Sequence, residues 1–284
     1  MTGTVSRCLV VVRAGDASLH PTWTDDLATR GFDLVVSYFG KDPSRYRGEG
    51  ERRIDDAGQK FLGLHALLTR ESFWRDYDYI WLPDDDLAID QASIGEMFAT
   101  AARLGLSLAQ PALAWDSHYS HRITLAHPSF AWRLTNYVEV MAPCFARPFL
   151  ERCLPTFTEN LSGWGLDLLW PRMLPARPRS IAILDDVVMT HTRPVGGPGH
   201  DRLRAAGVSP QEESEALMAK HGIVGDVRAL VYAGVDHDGR TIDASTRDGR
   251  AALRDMLAQD HAAFARAVAQ NIIVDGNARS TSAR

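Results

Sequence analysis

The chain has 284 residues, a hydrophobic fraction of 45% and seven Trp, enough for one large α/β domain or two small ones whose core needs neither disulfides nor structural metals. A formal net charge of −5 argues against strong attraction to nucleic acid or to an anionic membrane. Cys8, Cys144 and Cys153 are odd in number and lack metal-type spacing, which points to a reduced, cytoplasmic setting. The apolar run that follows the polar start is too short for a signal-peptide core, and no run is long enough to span a membrane.

Cys8 to Val12 forms a continuous apolar strand pattern leading to Arg13, Gly15 and Asp16. Pro21 suits the first turn of a helix, with Thr22 to Arg30 as its body and Gly31 just past its end. Leu34 to Phe39 is a second strand, and apolar residues at Phe61, Leu64, Leu67 and Leu68 mark a helix over Asp55 to Arg70. Tyr77 to Leu82, rich in aromatic and β-branched residues, is a third strand that discharges into Asp84, Asp85 and Asp86. Asp90 is placed to cap a helix over Gln91 to Leu104, and a further strand follows near Leu106 to Leu113. This alternation predicts a mostly parallel sheet with helices on both faces. Ligands of such sheets bind beyond the carboxyl ends of the strands, so Asp16 and the acidic triplet are expected on one rim.

From Trp115 to Arg147 the segments shorten, with Thr135 to Met141 patterned as a strand. Gly163-Trp164-Gly165 leads into a helical stretch, Leu166 to Leu174, and two strand-like runs, Ile181 to Leu184 and Val187 to Met189, end near His191. Val195 to His200 is rich in Gly and Pro and suits a loop or lid. A helix over Pro210 to Lys220, a strand over Leu230 to Val235 and a helix over Arg247 to Ala269 follow, and 276–284 is a small, polar tail expected to be disordered.

Three adjacent carboxylates at the end of a buried strand repel one another, and a hard divalent cation with oxygen ligands removes that penalty. A phosphorylated substrate would complete the coordination shell. The same residues also suit an acidic turn that starts the Gln91 helix. Asp84-Asp85-Asp86, Gly163-Trp164-Gly165-Leu166-Asp167 and His191 at a strand end together resemble the GT-A class of nucleotide-sugar glycosyltransferases. More narrowly, Trp81 to Asp86, Gln110 to Leu113, Val138 to Pro143, Gly163 to Asp167 and His191 to Pro194 resemble a bacterial and plant domain family of unknown function, across residues 5–200.

The resemblance implies a GT-A-like (Rossmann-like) α/β domain over residues 5–200, and the pattern beyond it reads as a mainly helical extension over 201–275 packed on that domain. It implies transfer of a sugar from a nucleotide-diphosphate sugar to a saccharide, lipid-linked saccharide or small-molecule acceptor, assisted by Mn²⁺ or Mg²⁺. Asp86 is then a metal ligand, Asp84 meets the ribose or the metal, and His191 is a remote third ligand. Arg13, Asp16, Lys60 and Asp85 are candidates for the nucleotide and its phosphates, although a helix-surface lysine usually faces water. Asp167 is the candidate base of an inverting transfer, or else a first-turn acid favoured by the helix dipole; retention is the alternative outcome. Trp164 either stacks on a sugar or packs, and Trp115, Asp116, His118, Tyr119, His121 and Arg122 form a candidate acceptor cluster. Two rivals remain: an inactive GT-A-like module that binds nucleotide or glycan, and a phosphatase of the haloacid dehalogenase type. The second normally has Thr or Val where Ala88 stands.

Overall fold

The computed structural model describes residues 6–48, 51–174, 179–196, 203–205, 207–224 and 228–255. Four parallel strands form one half of the central sheet: β1 (Cys8–Ala14), β2 (Asp33–Tyr38), β3 (Glu51–Asp55) and β4 (Tyr79–Trp81), in the order β3-β2-β1-β4. Beyond β4 the sheet continues through β8 (Cys144–Ala146), which is antiparallel to both β4 and β6 (Leu108–Leu113). Next comes β9 (Ile181–His191), parallel to β6, then β7 (Trp132–Thr135), antiparallel to β9. The far edge is built by β10 (Val231–Val235) and β11 (Thr241–Asp243), while the short β5 (Leu87–Ala88) pairs with the end of β9. The expected mostly parallel α/β core is therefore present.

Both faces of the sheet are covered, which explains the unbroken apolar runs of its central strands. In β1, Val10, Val12 and Ala14 enter one core with Ile94, Met97, Phe98 and Ala101 of α2 (Gln91–Leu104). Leu9 and Val11 point the other way, into a core shared with α1 (Lys60–Arg70), α3 (Arg147–Cys153), α4 (Leu166–Leu169) and α5 (Pro210–Lys220). Asp90 caps α2 as expected, its carboxylate accepting from the Ser93 amide at 2.7 Å.

Several expected elements differ. Only a 3-10 turn, His20–Trp23, forms where a helix over 22–30 was expected. There the Gln91 side chain accepts from the Asp25 and Asp26 amides, and Asp26 accepts from the Ala28 amide, so side chains supply the backbone partners a helix would need. β3 went unread because Glu51, Arg52, Arg53 and Asp55 mask its pattern, and α1 starts only at Lys60. The strand expected over 135–141 ends where it was expected to begin, since Thr135 Oγ1 accepts from the Tyr137 amide and the chain turns away. The two runs before His191 form one strand, with an irregularity opposite Pro111. Proline has no N–H to donate there, and the displaced Asp185 and Asp186 amides donate to Ala131 instead. The Asp185 carboxylate accepts from Arg133 at 2.8 Å in a buried ion pair.

The segment after residue 200 is not only helical, because β10 joins the main sheet through β7. Residues 247–255 are helical; 256–269, the expected lid residues 197–200 and the tail 276–284 lie outside the described residues.

Candidate functional site

The carboxyl ends of β1, β4 and β9 point to the same edge of the sheet, and a cleft of about 1960 Å³ opens there. It is lined by Arg13, Asp16, Lys60, all three acids of the triplet, His121, Trp164, Asp167, His191 and Arg193, so sequence-distant candidates are brought together.

Each acid of the triplet meets a different basic group. The Asp84 carboxylate lies 2.6 Å from the Lys60 ammonium, which also donates to the Val140 and Met141 carbonyls at 2.8 and 3.0 Å. These contacts use all three ammonium donors. Lys60, a candidate for the nucleotide phosphates that could equally have faced water, is a bolt between the triplet and the 139–141 turn. Asp85 accepts from the Gly15 amide at 2.8 Å and from Arg193 at 3.2 Å, holding the end of β1. Asp86 lies 3.4 Å from His191 Nε2, brought there by the pairing of β5 with β9. His191 Nδ1 contacts the His118 carbonyl at 2.7 Å, which fixes the ring orientation.

Burial pushes the Asp84 carboxyl up, opposed by Lys60, and pushes Asp85 up against the Gly15 amide and Arg193. Burial also acts on Asp86, but the hydrogen bond from His191 wins and holds it below the usual range. The His191 imidazole is lifted in return: burial lowers it, and Asp86 more than compensates. Among the described residues, no group of three His, Cys, Asp or Glu side chains is arranged to hold a metal by itself. Asp86 and His191 do suit one, because Asp86 Oδ1 is buried without a hydrogen-bond partner and the imidazole is oriented by a carbonyl. Asp84 suits it less, with one oxygen committed to Lys60.

The wall around Asp167 is built by a glycine pair. Gly163 and Gly165 have φ of 78° and 90°, and a Cβ would meet the Phe61 ring at 2.6 Å and Ser214 Oγ at 2.9 Å respectively. This turn delivers Asp167 into the first turn of α4. Its carboxylate accepts from the Tyr137 hydroxyl at 3.0 Å and from the Leu168 amide at 2.9 Å, and burial pushes it up to about 6. Glu139 lies on the same wall and was not singled out from sequence. Burial, with Asp167 nearby, pushes its carboxyl up to about 7, and Oε2 is buried with no hydrogen-bond partner. The available signal was a lone carboxylate inside the apolar run Val138 to Pro143.

The other expected residues fall into two groups. Arg13 lines the cleft, but its guanidinium is buried and donates to Ser37 Oγ and to the Asp56 and Gly58 carbonyls, pinning the loop before α1. Asp16 accepts from the Tyr38 hydroxyl and from the Lys41 and Asp42 amides, fixing the loop after β2. A smaller hollow of about 420 Å³, walled by Tyr38, Phe39, Lys41 and Arg53, adjoins the cleft at Phe39 and Ala57. The expected acceptor cluster is divided. His121 lines the cleft, with its ring 4.8 Å from Tyr137. Trp115 packs on the core and donates to the Ala126 carbonyl at 2.8 Å, Tyr119 is buried, and Asp116, His118 and Arg122 do not line the cleft. Sequence crowding at 115–122 did not reveal that successive side chains leave in different directions. Arg204, Gln211, Ser214 and Glu215 complete the wall from the segment after residue 200.

At the sequence level no family model and no curated protein matches the chain. Solved structures do resemble it. S. aureus TarS 1-349 in complex with UDP-GlcNAc superposes with a TM-score of 0.53 at 13% identity, covering 78% of this chain and 68% of that one. This chain and the TarS domain share a GT-A-type fold. Another S. aureus TarS 1-349 structure gives a TM-score of 0.47 at 14% identity over 64% of this chain, which spans 59% of that one. Glucosyl-3-phosphoglycerate synthase from Mycobacterium tuberculosis, in complex with Mn²⁺, UDP and glucosyl-3-phosphoglycerate, gives 0.46 at 15% identity, over 78% and 82% of the two chains.

Proposed function

We propose that this chain is a glycosyltransferase that moves a sugar from a nucleotide-diphosphate sugar to an acceptor hydroxyl with inversion. The observation that carries this reading is one cleft, at the ligand-binding edge of a GT-A-type sheet, lined by the triplet, His191 and Asp167 together. The diphosphate lies toward Asp86, His191 and the half-exposed Arg193, and the nucleoside lies toward the loops held by Arg13 and Asp16. Mn²⁺ or Mg²⁺ would be held by Asp86 and His191, and when bound it neutralises charge on the departing diphosphate. Lys60 keeps Asp84 oriented and relieves the repulsion within the triplet. Asp167 takes the acceptor proton, with Tyr137 holding the carboxylate in place. The phosphatase alternative normally has Thr or Val where Ala88 stands and carries its acidic pair after the first strand, whereas Asp84 follows β4. No helix among the described residues is long and apolar enough to cross a membrane.

A thermal-shift panel of nucleoside diphosphates and their sugar conjugates, with and without Mn²⁺, tests the proposal. A ligand that binds only the folded state raises the melting temperature. At least one nucleotide should do so, and more strongly with Mn²⁺; no shift with any of them would reject a nucleotide-sugar site.

A further inference from the structure

Glu139 stands out among the buried polar groups because folding alone gives no reason for it. Its residue is 7% exposed, and Oε2 is buried without a hydrogen-bond partner among the described residues. Burying an unmatched carboxyl oxygen costs stability, and such groups are rare in folded proteins. Yet its surroundings are arranged to hold it still. Its amide donates to Gln110 Oε1 at 2.6 Å, and its carbonyl accepts from the Ala142 amide at 3.2 Å. Lys60 binds the next two carbonyls, the Asp84 amide donates to Met141, and the Trp81 indole donates to Ala142. A Ser120 hydrogen bond restrains the carboxyl itself.

Glu139 lines the cleft, and its carboxyl feels the charges of Asp167 first and then of His191 and Asp84, so it lies within reach of both sets of residues. If the diphosphate lies against Asp86 and His191 and the acceptor against Asp167, the group being transferred must lie between them. That group is a sugar, whose outward groups are O–H donors. We propose that the Glu139 carboxyl accepts a hydrogen bond from a hydroxyl of the transferred sugar, so that this residue selects the sugar and not the nucleotide. The proposal rests on the reading of the cleft as a nucleotide-sugar site. A rigid acceptor waiting without a partner is what preorganised recognition of a hydroxyl requires. A hydrogen bond to a carboxyl held in place is strong enough for its loss to be measurable as about a tenfold change.

The test is calorimetric titration of the full chain, and of its Glu139→Gln and Glu139→Ala variants, with UDP, UDP-glucose and UDP-N-acetylglucosamine in the presence of Mn²⁺. Removing an unmatched buried carboxyl should leave the melting temperature unchanged or higher, so folded variants are expected. Glu139→Ala should weaken at least one UDP-sugar by about tenfold or more while UDP changes by less than about twofold, with Glu139→Gln in between. Equal losses for UDP and the UDP-sugars, or no loss for either sugar, would overturn the assignment while leaving the nucleotide site standing. Failure of the unaltered chain to bind UDP, either UDP-sugar or any other nucleoside diphosphate of the thermal-shift panel would overturn the site and this assignment together.

Discussion

On one wall of the cleft Asp84, Asp85 and Asp86 face Lys60, Arg193 and His191 respectively; on the other, Asp167 and Glu139 touch a phenol, backbone amides and a serine. Burial raises the carboxyl pKa on both walls, but only the triplet has basic groups in contact to oppose it. On the unpaired wall burial raises Asp167 to about 6 and Glu139 to about 7. A wall whose acids carry their own counter-charges suits holding a charged ligand. A wall of acids near neutrality suits taking a proton or reading a hydroxyl.

The largest effect should come from the unpaired wall. Asp167→Asn keeps the size, the Tyr137 contact and the helix-start position, but it cannot accept a proton. Transfer should fall by roughly 10²–10⁴-fold with UDP affinity unchanged, and steady-state kinetics beside calorimetry measures both. In the unaltered enzyme kcat/KM should fall as the pH drops below about 6, to which burial raises Asp167, because the base must be ionised.

Breaking the paired wall should act on binding instead. Asp86→Ala should remove the Mn²⁺-dependent part of UDP affinity, a loss of about tenfold or more in calorimetry. Identical affinities with and without the substitution would remove Asp86 from the metal site.

Stability gives an intermediate effect with a definite sign. The folded-state pKa of Asp167 is raised from 3.8 to about 6. The folded chain therefore binds this proton more tightly than the unfolded chain does. The associated stabilisation is complete below about 4 and is lost as the pH rises through about 6. Asp167→Asn lacks this loss, so at pH 7 its stability relative to the unaltered chain should improve by up to roughly 3 kcal/mol compared with pH 4. Denaturant melts at the two pH values check this, and an unchanged difference would mean the carboxyl is not raised.

A smaller change is expected for Lys60→Met. Asp84 is 38% exposed, so solvent screens much of its freed charge. The cost in thermal or denaturant unfolding should be about 1–2 kcal/mol, chiefly from three lost donor contacts. Asp116→Ala, exposed and off the cleft, should change neither transfer nor UDP binding and should stay within about 0.5 kcal/mol in stability.

Much of this contrast was legible before the fold was known, because it sits on strongly patterned elements. Cys8 to Val12, the Asp90-capped α2 and α5 carry local signals of apolar continuity or capping, and their positions hold. The triplet and His191 meet because both follow parallel strands, a rule of topology that strand order alone supports. The partners of the triplet were not legible. Lys60 looks like a surface lysine until the 139–141 turn, 80 residues away, supplies carbonyls for it. Glu139 was hidden by the same turn, because Thr135 to Met141 has a strand-like composition and ends as a loop through side-chain bonds from Thr135 and Gln110. β3 was missed for a different reason: its parallel pairing with β2 needs only backbone groups, and its side chains are charged.

The division between the walls is tested most directly by crystals grown with UDP and Mn²⁺ and measured at the manganese absorption edge. The expected result is an anomalous peak beside Asp86 and His191, with the diphosphate against it and the Asp167 wall left free for sugar and acceptor. A peak on the Asp167 and Glu139 wall, or UDP bound away from the triplet, would contradict it.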